Sequence, residues 1–343
     1  MFDDDAPDDT AAEDANMMFD FFTIFSWKLI VLIFVVCIVR AWLKGQTFTE
    51  HVSCKTKVAI VTGANCGIGK QIVRELCYRG AKVYMLCRDK AKGEEAVKLL
   101  VQMGCRADLL VLHTVDLTSF ESIRDFATSF LKVESKLDIL INNAGIMLFP
   151  KFKLTEDGHE WTWQSNYLGH FLLTELLLPA LEQSDKGRIV NVSALAHFYA
   201  DSLDVSTVDR REAFDTRQAY AKSKLAQVLH TRELARRLRR NDSKVLVNAC
   251  HPGLVYTRIM RYTPLGNNAV LSTMLAPFAW FLLKTPKDGA QTPLYIALSK
   301  EVDGKSGHYF VELAEKTPSD LAQDENLGEQ LYNYSLEACG LAG

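Results

Sequence analysis

The sequence predicts an α/β protein in which a doubly wound, mostly parallel sheet of seven strands follows an N-terminal membrane helix. The first observation is that, from Lys57 onward, short apolar runs alternate with amphipathic stretches. This alternation is typical of a parallel sheet covered by helices on both faces. The second observation is a glycine-rich turn directly after the first apolar run. The third is an apolar stretch at 21–43 that is long enough to cross a bilayer.

The candidate strands and helices alternate along the chain. Strands are predicted at 58–62, 82–87, 109–113, 139–142, 188–192, 245–249 and 309–311. Helices are predicted between them at 68–79, 92–103, 119–134, 161–178, 219–239 and 287–298. Seven strands joined by six helical crossovers make one Rossmann-like domain without an internal repeat.

The chain divides into consecutive segments with different compositions. They are predicted as an acidic disordered tail at 1–20, a membrane helix at 21–43, a linker at 44–56, an α/β domain at 57–313 and a C-terminal extension at 314–343. The tail carries eight acids and no Lys or Arg, a composition that favours disorder. Within the domain, residues 254–285 break the alternation of strands and helices. We expect them to form a substrate lid over the carboxyl ends of the strands.

The apolar segment 21–43 has 23 residues, which span about 34 Å as a helix at about 1.5 Å per residue. Lys28 and Arg40 interrupt it, and both side chains can reach toward the headgroups. A helix lying in one leaflet is the alternative. Basic residues follow the segment and none precedes it. Since basic residues flanking a span prefer the cytosol, we expect residues 1–20 in the lumen and 44–343 in the cytosol.

The composition argues against two other kinds of site. Of the 343 residues, 39 are basic and 42 are acidic, and no dense basic block indicates a nucleic-acid partner. The eight cysteines are scattered without a CxxC or a Cys/His pattern, so no metal site is predicted. Scattered single cysteines also indicate a reducing compartment.

The glycine-rich turn after the first predicted strand reads TGANCGIG and has the spacing GxxxGxG. Glycines let the backbone turn tightly and approach a pyrophosphate, whose charge then faces the amino end of the next helix. Because the turn stands between a strand and a helix, it predicts a dinucleotide site rather than an ordinary turn. The residues expected to bind the cofactor here are Gly63, Asn65, Cys66, Gly67, Ile68 and Gly69.

The end of the second predicted strand indicates which dinucleotide binds, because this position faces the adenosine ribose. Arg88 offers a guanidinium fork suited to a 2′-phosphate. Asp89 is adjacent and could accept a bond from a 2′-hydroxyl instead. We therefore favour NADP(H), with NAD(H) as the alternative.

Tyr220 and Lys224 are candidates for an acid–base pair, since they lie one turn apart on one face of a predicted helix. A phenol has a pKa of about 10, and lowering it by about 3 units requires roughly 4 kcal/mol. One cation at about 4 Å supplies roughly that amount. Tyr78 and Lys82 have the same spacing, but Gly80 between them marks a helix end, so they should not share a face.

Two further polar residues are candidates for the site. Ser193 ends the fifth predicted strand at the carboxyl edge of the sheet, where a carbonyl would need a donor. Asn166 lies within the preceding helix. Because asparagine lowers the stability of a helix, we expect this residue to have a specific role there. By residue type alone, each is more often structural.

Taken in order, these motifs resemble those of the short-chain dehydrogenases/reductases. Others that match are Asp116-Leu117, Asn142-Asn143-Ala144-Gly145, YAKSK from Tyr220 and His251-Pro252-Gly253. From residue 57 to about 335 the chain is similar to the microsomal retinol dehydrogenase branch, through LGHFLL from Leu168 and SGHYF from Ser306.

The resemblance implies roles for the candidate residues. Tyr220 would donate or accept the proton, Lys224 would hold the nicotinamide ribose and tune Tyr220, and Asn166 would support a proton-relay water. Further cofactor contacts are implied for Asp116, Asn143, Ala144, Gly145, Pro252, Gly253 and Thr257. The branch usually ends the fifth strand with two serines, of which the second is catalytic, but here the pair is Ser193-Ala194. Either Ser193 takes over that role or the hydroxyl is absent.

The expected function is NADP(H)-dependent interconversion of a lipophilic, retinoid-like alcohol and its aldehyde or ketone. A steroid or polyprenol-type lipid is the alternative substrate. A cofactor-binding scaffold without catalysis is the alternative of another class, and only Ala194 favours it. The resemblance implies the endoplasmic reticulum, makes membrane lipid an expected partner and allows a homodimer.

Overall fold

A computed structural model describes residues 9–263 and 269–342 of the chain. Two compact units are formed, by residues 1–45 and by residues 46–343. Within the described part of the second unit, one sheet contains the strands β1 Val58–Thr62, β2 Lys82–Cys87, β3 Leu110–Thr114, β4 Ile139–Asn142, β5 Arg188–Val192, β6 Leu246–His251, β7 Tyr309–Val311 and β8 Ala314–Lys316.

The sheet has the order β3-β2-β1-β4-β5-β6-β7-β8. All pairs from β3 to β7 are parallel, and β8 is antiparallel to β7. The predicted doubly wound sheet of seven parallel strands is thus confirmed, with one added strand. The strand order reverses between β1 and β4, and ligands bind in such sheets at the carboxyl ends of the strands beside this reversal.

The helices of the described residues are α1 Asp9–Lys44, α2 Gly67–Tyr78, α3 Lys90–Gln102, α4 Phe120–Val133, α5 Trp161–Trp163, α6 Gly169–Glu182, α7 Thr216–Arg240, α8 Ala269–Leu282, α9 Pro286–Gly289, α10 Gln291–Leu298, α11 Asp320–Gln323 and α12 Glu325–Ala338. A π-helical turn, Gln164–Leu168, joins α5 to α6. The single helix predicted at 161–178 is therefore interrupted in the middle.

Two apolar layers hold the sheet between the helices. One layer packs α4, α6 and α7 against one face, and the other packs α2, α3 and α10 against the opposite face. Neighbouring residues of β1 belong to different layers, Ile60 to the first and Val61 to the second. Because a strand covered on both faces has no solvated side, its sequence is a continuous apolar run.

Helix α1 forms the described part of the first unit and begins at Asp9. Residues 9–20, predicted as part of a disordered tail, are helical in the structure, while residues 1–8 lie outside the described part. Alanine favours helix more than any other residue, and carboxylates in the first turns interact favourably with the helix dipole. Within α1, the 20 residues Phe25–Lys44 are long and apolar enough to cross a membrane.

The segment predicted as a linker belongs to the second unit from Gln46 onward. Phe48 is buried, its backbone N–H donates to Gln291 Oε1 at 3.0 Å, and its ring meets Tyr295 with 6.0 Å between centroids. Cys54 is also fully buried. This stretch therefore differs from the predicted linker, because two apolar side chains within a polar sequence join the core.

The C-terminal extension supplies the added strand and two helices. Between β7 and β8 the chain turns through Glu312 and Leu313, which both have positive φ, at 52° and 60°. Two-residue hairpin turns favour Asn-Gly, and because Glu312 and Leu313 lack that signature, the eighth strand could not be predicted from the sequence. Helices α11 and α12 then pack against α7.

Candidate active site

A cleft of about 330 Å³ opens at the carboxyl ends of β1, β2 and β4. Most of the residues predicted to bind the cofactor line it: Gly63, Asn65, Cys66, Gly67, Ile68, Arg88, Asp116, Asn143, Ala144, Gly145 and Thr257. The structure thus brings together residues that are spread over almost 200 positions of the chain. The cleft lies where the strand order reverses, as expected for a dinucleotide site.

The glycine turn leaves room for the backbone of β4 and for the start of α2. A Cβ on Gly69 would lie 2.3 Å from Gly63 O and 2.6 Å from Asn143 Nδ2, distances that no side chain can adopt. Gly67 has a φ of +56°, in the left-handed region that favours glycine. Gly69 therefore supports the shape of the turn without lining the cleft, and the amino end of α2 stays open to an anion.

A buried chain of hydrogen bonds fixes the glycine turn to the loop after β4. The Thr62 hydroxyl accepts the backbone N–H groups of Asn143 and Ala144, each at 2.9 Å. The same hydroxyl lies 2.9 Å from His170 Nε2, while His170 Nδ1 lies 2.9 Å from the Asn166 carbonyl. Because that carbonyl can only accept, Nδ1 carries the proton, and Nε2 accepts from Thr62.

His170 is a positioning residue that residue-by-residue reasoning missed, although it stands in the LGHFLL motif. Burial lowers the pKa of its imidazole to about 3, so the ring stays neutral and keeps this tautomer. The sequence could have indicated this role, because His170 follows Asn166 by four residues, which is one helical turn. Without a polar residue at that spacing, a histidine in an apolar helix is interpreted as part of the core.

Asn166 lies in the π-helical turn and is fully buried. Its Oδ1 accepts from Ile146 N at 2.8 Å, and its Nδ2 donates to Ile146 O and to Ser223 Oγ, each at 2.9 Å. The side chain therefore ties the loop after β4 to helix α7. This explains a mid-helix asparagine, since π turns in helices are frequent at functional sites.

Three charged side chains line the part of the cleft beside the end of β2: Arg88, Asp89 and Lys92. The Asp89 carboxylate caps helix α3 by accepting from Lys92 N at 3.1 Å, and Lys92 Nζ lies 2.6 Å from its other oxygen. These bonds with Lys92 lower the pKa of Asp89. Arg88 is exposed, and its guanidinium carbon lies 6.0 Å from the Trp161 ring centroid. Asp89 is thus engaged within the chain, while Arg88 remains accessible.

The candidate acid–base pair lies on α7, beside the loop that lines the cleft, and neither of its two side chains lines the cleft itself. Tyr220 and Lys224 are 8% and 3% exposed, and a Cβ on Gly145 would lie 3.4 Å from Asn166 Oδ1 and 3.6 Å from Lys224 Nζ. Lys224 Nζ donates to Val192 O at 2.9 Å and stands 5.9 Å from the Tyr220 ring centroid. Gly145, Asn166 and Lys224 therefore meet at one end of the cleft.

The pKa directions of the pair differ from the expectation that the neighbouring ammonium lowers the pKa of the phenol. Burial raises the pKa of Tyr220 above its ordinary value and lowers the pKa of Lys224 to about 8. The expected lowering of the Tyr220 pKa is therefore wrong for this structure. The cause is that the ammonium bonds to a backbone carbonyl instead of approaching the phenol, so desolvation of Tyr220 is not offset.

The family model for short chain dehydrogenases matches residues 57–267. Retinol dehydrogenase 13 of Mus musculus is 43% identical over 310 residues, covering 89% of this chain and 90% of that protein. Retinol dehydrogenase 12 of Homo sapiens is 40% identical, covering 88% and 92%.

This chain belongs to the short-chain dehydrogenase/reductase family. Within the family it is an oxidoreductase of the retinol dehydrogenase branch. A solved structure, of an uncharacterized protein from Mycobacterium paratuberculosis, has 33% identity and a TM-score of 0.68, and it covers 86% of this chain and 98% of that one. Membership of the family implies a nicotinamide cofactor, and the cleft with its glycine turn fits such a cofactor.

Ser193 was predicted to donate to a carbonyl, and its hydroxyl bonds to the backbone instead. Its hydroxyl donates to Lys224 O at 2.7 Å, and the residue is 2% exposed. The hydroxyl proton is therefore committed to the backbone of α7 and is not directed at a carbonyl in the cleft. The structure does not place Ser193 as the carbonyl donor, and Ala194 at the next position has no hydroxyl.

Only some of the residues after β6 that were predicted to bind the cofactor line the cleft. Thr257 lines the cleft and lies beside the glycine turn, since a Cβ on Gly67 would lie 3.3 Å from Thr257 Cγ2. Pro252 is buried outside the lining, and a Cβ on Gly253 would lie 2.7 Å from Lys284 Cδ. Pro252 and Gly253 therefore shape the approach of the segment without facing the cleft.

Proposed function

We propose that this oxidoreductase uses NADP(H) to interconvert a lipophilic, retinoid-like alcohol and its aldehyde or ketone, with Tyr220 as the acid or base. The observation that carries the proposal is the meeting of Asn166, Lys224 and Gly145 at one end of a cleft whose other residues suit a dinucleotide. The likeness to retinol dehydrogenases supports the retinoid-like substrate. Steroid and polyprenol-type lipids are the alternative substrates.

The choice of NADP(H) over NAD(H) is supported by the charges beside β2. Asp89 would select NAD(H) only if its carboxylate were available to a 2′-hydroxyl, and both of its oxygens already bond within α3. Arg88 lines the cleft, is exposed and presents a guanidinium suited to a 2′-phosphate, while Lys92 lines the cleft in an ion pair with Asp89. Lys92 is a contact that the sequence-based reasoning did not name.

When bound, NADPH supplies the hydride for reduction of the carbonyl. Tyr220 donates the proton to the carbonyl oxygen, and its raised pKa suits an acid that is protonated at neutral pH. Lys224 is charged below a pH of about 8, and its positive charge stabilises the negative charge that develops on the Tyr220 oxygen as the proton leaves. Asn166 holds the loop of Ile146 against α7, which keeps Lys224 at the cleft.

A second candidate function is a cofactor-binding scaffold without turnover. It is favoured by one observation, that the Ser193 hydroxyl donates to the backbone and Ala194 stands in the position of the branch's catalytic serine. Screening the purified full chain with NADPH and NADH against retinal, steroid and long-chain aldehyde substrates tests both candidates. We expect NADPH-dependent turnover of retinal; cofactor binding without turnover of any substrate would favour the scaffold.

We also propose that α1 anchors the protein in the endoplasmic reticulum membrane with residues 44–343 in the cytosol. The supporting observations are the apolar segment Phe25–Lys44 and the basic residues that follow it. Two sequons report on this orientation, since Asn241 and Asn333 are exposed and each begins an Asn-x-Ser motif. Glycosidase treatment of protein from cells should leave its mobility unchanged. A shift that disappears on mutating Asn241 and Asn333 would place the domain in the lumen.

A further inference from the structure

One surface of the second unit exposes large apolar side chains in a regular row. On helix α8, Met274, Phe278 and Leu282 follow one another at four-residue intervals and are 69%, 64% and 57% exposed. Residues four apart lie on the same face of a helix. Helix α8 therefore presents an apolar stripe to its surroundings.

The stripe continues onto the segment that follows β6. Lys284 N donates to Leu254 O at 2.8 Å, and Tyr256 N donates to Lys284 O at 3.0 Å. These bonds place Leu254 and Tyr256, which are 65% and 46% exposed, beside the carboxyl end of α8. We call these five side chains, Met274, Phe278, Leu282, Leu254 and Tyr256, the apolar face. Contiguous exposed apolar surface of this kind marks a protein or membrane contact.

The stretch of sequence that carries the apolar face is basic. From residue 254 to residue 287 the sequence has no Asp or Glu and four basic residues, Arg258, Arg261, Lys284 and Lys287. An apolar face flanked by Lys and Arg is the arrangement found in helices that lie at the surface of a bilayer with anionic headgroups. A second copy of this chain would instead need acidic or apolar surface to match.

The edge of the domain next to the apolar face is also where the chain arrives from the membrane helix. Gln46 N donates to Glu312 Oε2 at 3.2 Å, and the other oxygen of Glu312 pairs with Lys284 Nζ. Only Gly45 separates Gln46 from Lys44, the last residue of α1, and two residues of extended chain reach about 7 Å. Covalent connectivity alone thus keeps this edge near any bilayer that holds α1.

We infer that the apolar face inserts into the surface of the bilayer that holds α1, so that the cleft opens toward the lipid. Tyr256 adjoins both regions, because it also lines, with Thr257 and Arg258, a second pocket that shares residues with the cofactor cleft. This inference depends on the membrane anchoring proposed above and adds a second contact to it.

Hydroxyl-radical footprinting of the full chain in lipid nanodiscs tests the inference without a mutation. The discs contain phosphatidylcholine with a minor share of phosphatidylserine, and mass spectrometry measures methionine oxidation at each site. Met103 is the internal control because it lies on a different helix end and is only 41% exposed. By exposed fraction alone Met274 should react faster; buried in lipid, it should react at least about fivefold more slowly than Met103.

Two aspartate variants sharpen the test. Phe278→Asp with Leu282→Asp should release α8 from the lipid and raise Met274 oxidation above that of Met103, while the protein stays on the disc. Val133→Asp, at a 72% exposed apolar residue of α4, should leave Met274 protected.

The outcomes separate this inference from the anchoring proposal. Met274 reacting faster than Met103 on the disc would overturn the inference and leave α1 as an anchor. Failure to recover the chain with the discs would overturn both. A third outcome is that Met274 stays protected when a polymer without lipid keeps the chain in solution, with protection that rises with protein concentration. That result would identify a second copy of the chain as the occupant of the apolar face and would also overturn the inference.

Discussion

The two halves of the candidate site differ in how completely they are assembled. In the half that suits the dinucleotide, Thr62 and Asn143 make partly buried hydrogen bonds that hold the glycine turn against the loop after β4. In the acid–base half, Lys224 bonds to Val192 O and Ser193 bonds to Lys224 O. The first half is preorganised for a ligand, while the polar groups of the second satisfy each other or the backbone.

This difference has a physical reason. Main-chain turns and helix ends are part of the fold, so a site built from them exists without a ligand. Tyr220 and Lys224 are buried ionisable side chains, and each loses solvation that only a charged or polar ligand can replace. We therefore expect the cofactor to bind to the preorganised half and the acid–base half to become active only in the complex.

The largest expected effect comes from removing the phenol. Tyr220→Phe should lower turnover by about 10²- to 10⁴-fold, because the transferred proton is lost. NADPH affinity should change little, since the dinucleotide half is untouched. Steady-state kinetics with parallel NADPH titration checks both. Tyr78→Phe is the matched control, because that tyrosine has the same spacing to a lysine but its hydroxyl bonds to the exposed end of α3. Equal turnover in Tyr220→Phe and wild type would remove Tyr220 from the mechanism.

The next largest effect is expected in the half of the site that suits the dinucleotide. Arg88→Ala should raise the Michaelis constant for NADPH by about tenfold, or about 1.4 kcal/mol, and leave that for NADH nearly unchanged. Arg106→Ala is the control, since Arg106 pairs with Asp108 at the surface and does not line the cleft. If NADPH and NADH weaken equally in Arg88→Ala, the arginine is structural and the preference for NADP(H) loses its main support.

A smaller effect should appear in the pH dependence of carbonyl reduction. Burial lowers the pKa of Lys224 to about 8, so the side chain is charged below that pH and becomes neutral above it. The rate at saturating NADPH should be level below the pKa and fall as pH rises through it. Lys224→Met should remove the step, whereas Lys222→Met should keep it because Lys222 pairs with Asp201 instead. A step that survives in Lys224→Met would belong to another group.

The smallest effect concerns Ser193. Because its hydroxyl donates to Lys224 O, Ser193→Ala should cost about 1 kcal/mol of unfolding free energy and change turnover little. Ala194→Ser should instead raise turnover, since it restores a hydroxyl where the branch has one. Chemical denaturation and kinetics of the two variants measure these effects. A large loss of turnover in Ser193→Ala with unchanged stability would show that Ser193 moves to contact the carbonyl.

How much the sequence could predict depended on whether a feature is local. The bounds of β1, β2, β4, β5 and β7 were predicted as the structure has them, since each is a short apolar run ended by polar or glycine residues. The glycine turn was equally clear because strand, turn and helix are contiguous.

Features that depend on tertiary contacts were missed or wrong. The role of His170 depends on Thr62, 108 residues away, and the direction of the Ser193 hydroxyl depends on the backbone of α7. The anchoring of Phe48 depends on Gln291, and the turn at Glu312 carries no residue that favours positive φ. Spacing within a motif cannot report these long-range contacts, and for the same reason it suggested an activated Tyr220 where burial dominates.

The most direct test follows deuterium from the cofactor to the product. The purified full chain is incubated with all-trans-retinal and NADPH that carries deuterium at the reactive position of nicotinamide, and the retinol is examined by mass spectrometry. We expect one deuterium in the retinol formed by the wild-type protein and retinol formation at least about 100-fold slower in Tyr220→Phe, although the variant binds NADPH as tightly. Unlabelled retinol, or labelled retinol formed equally well by Tyr220→Phe, would contradict the account.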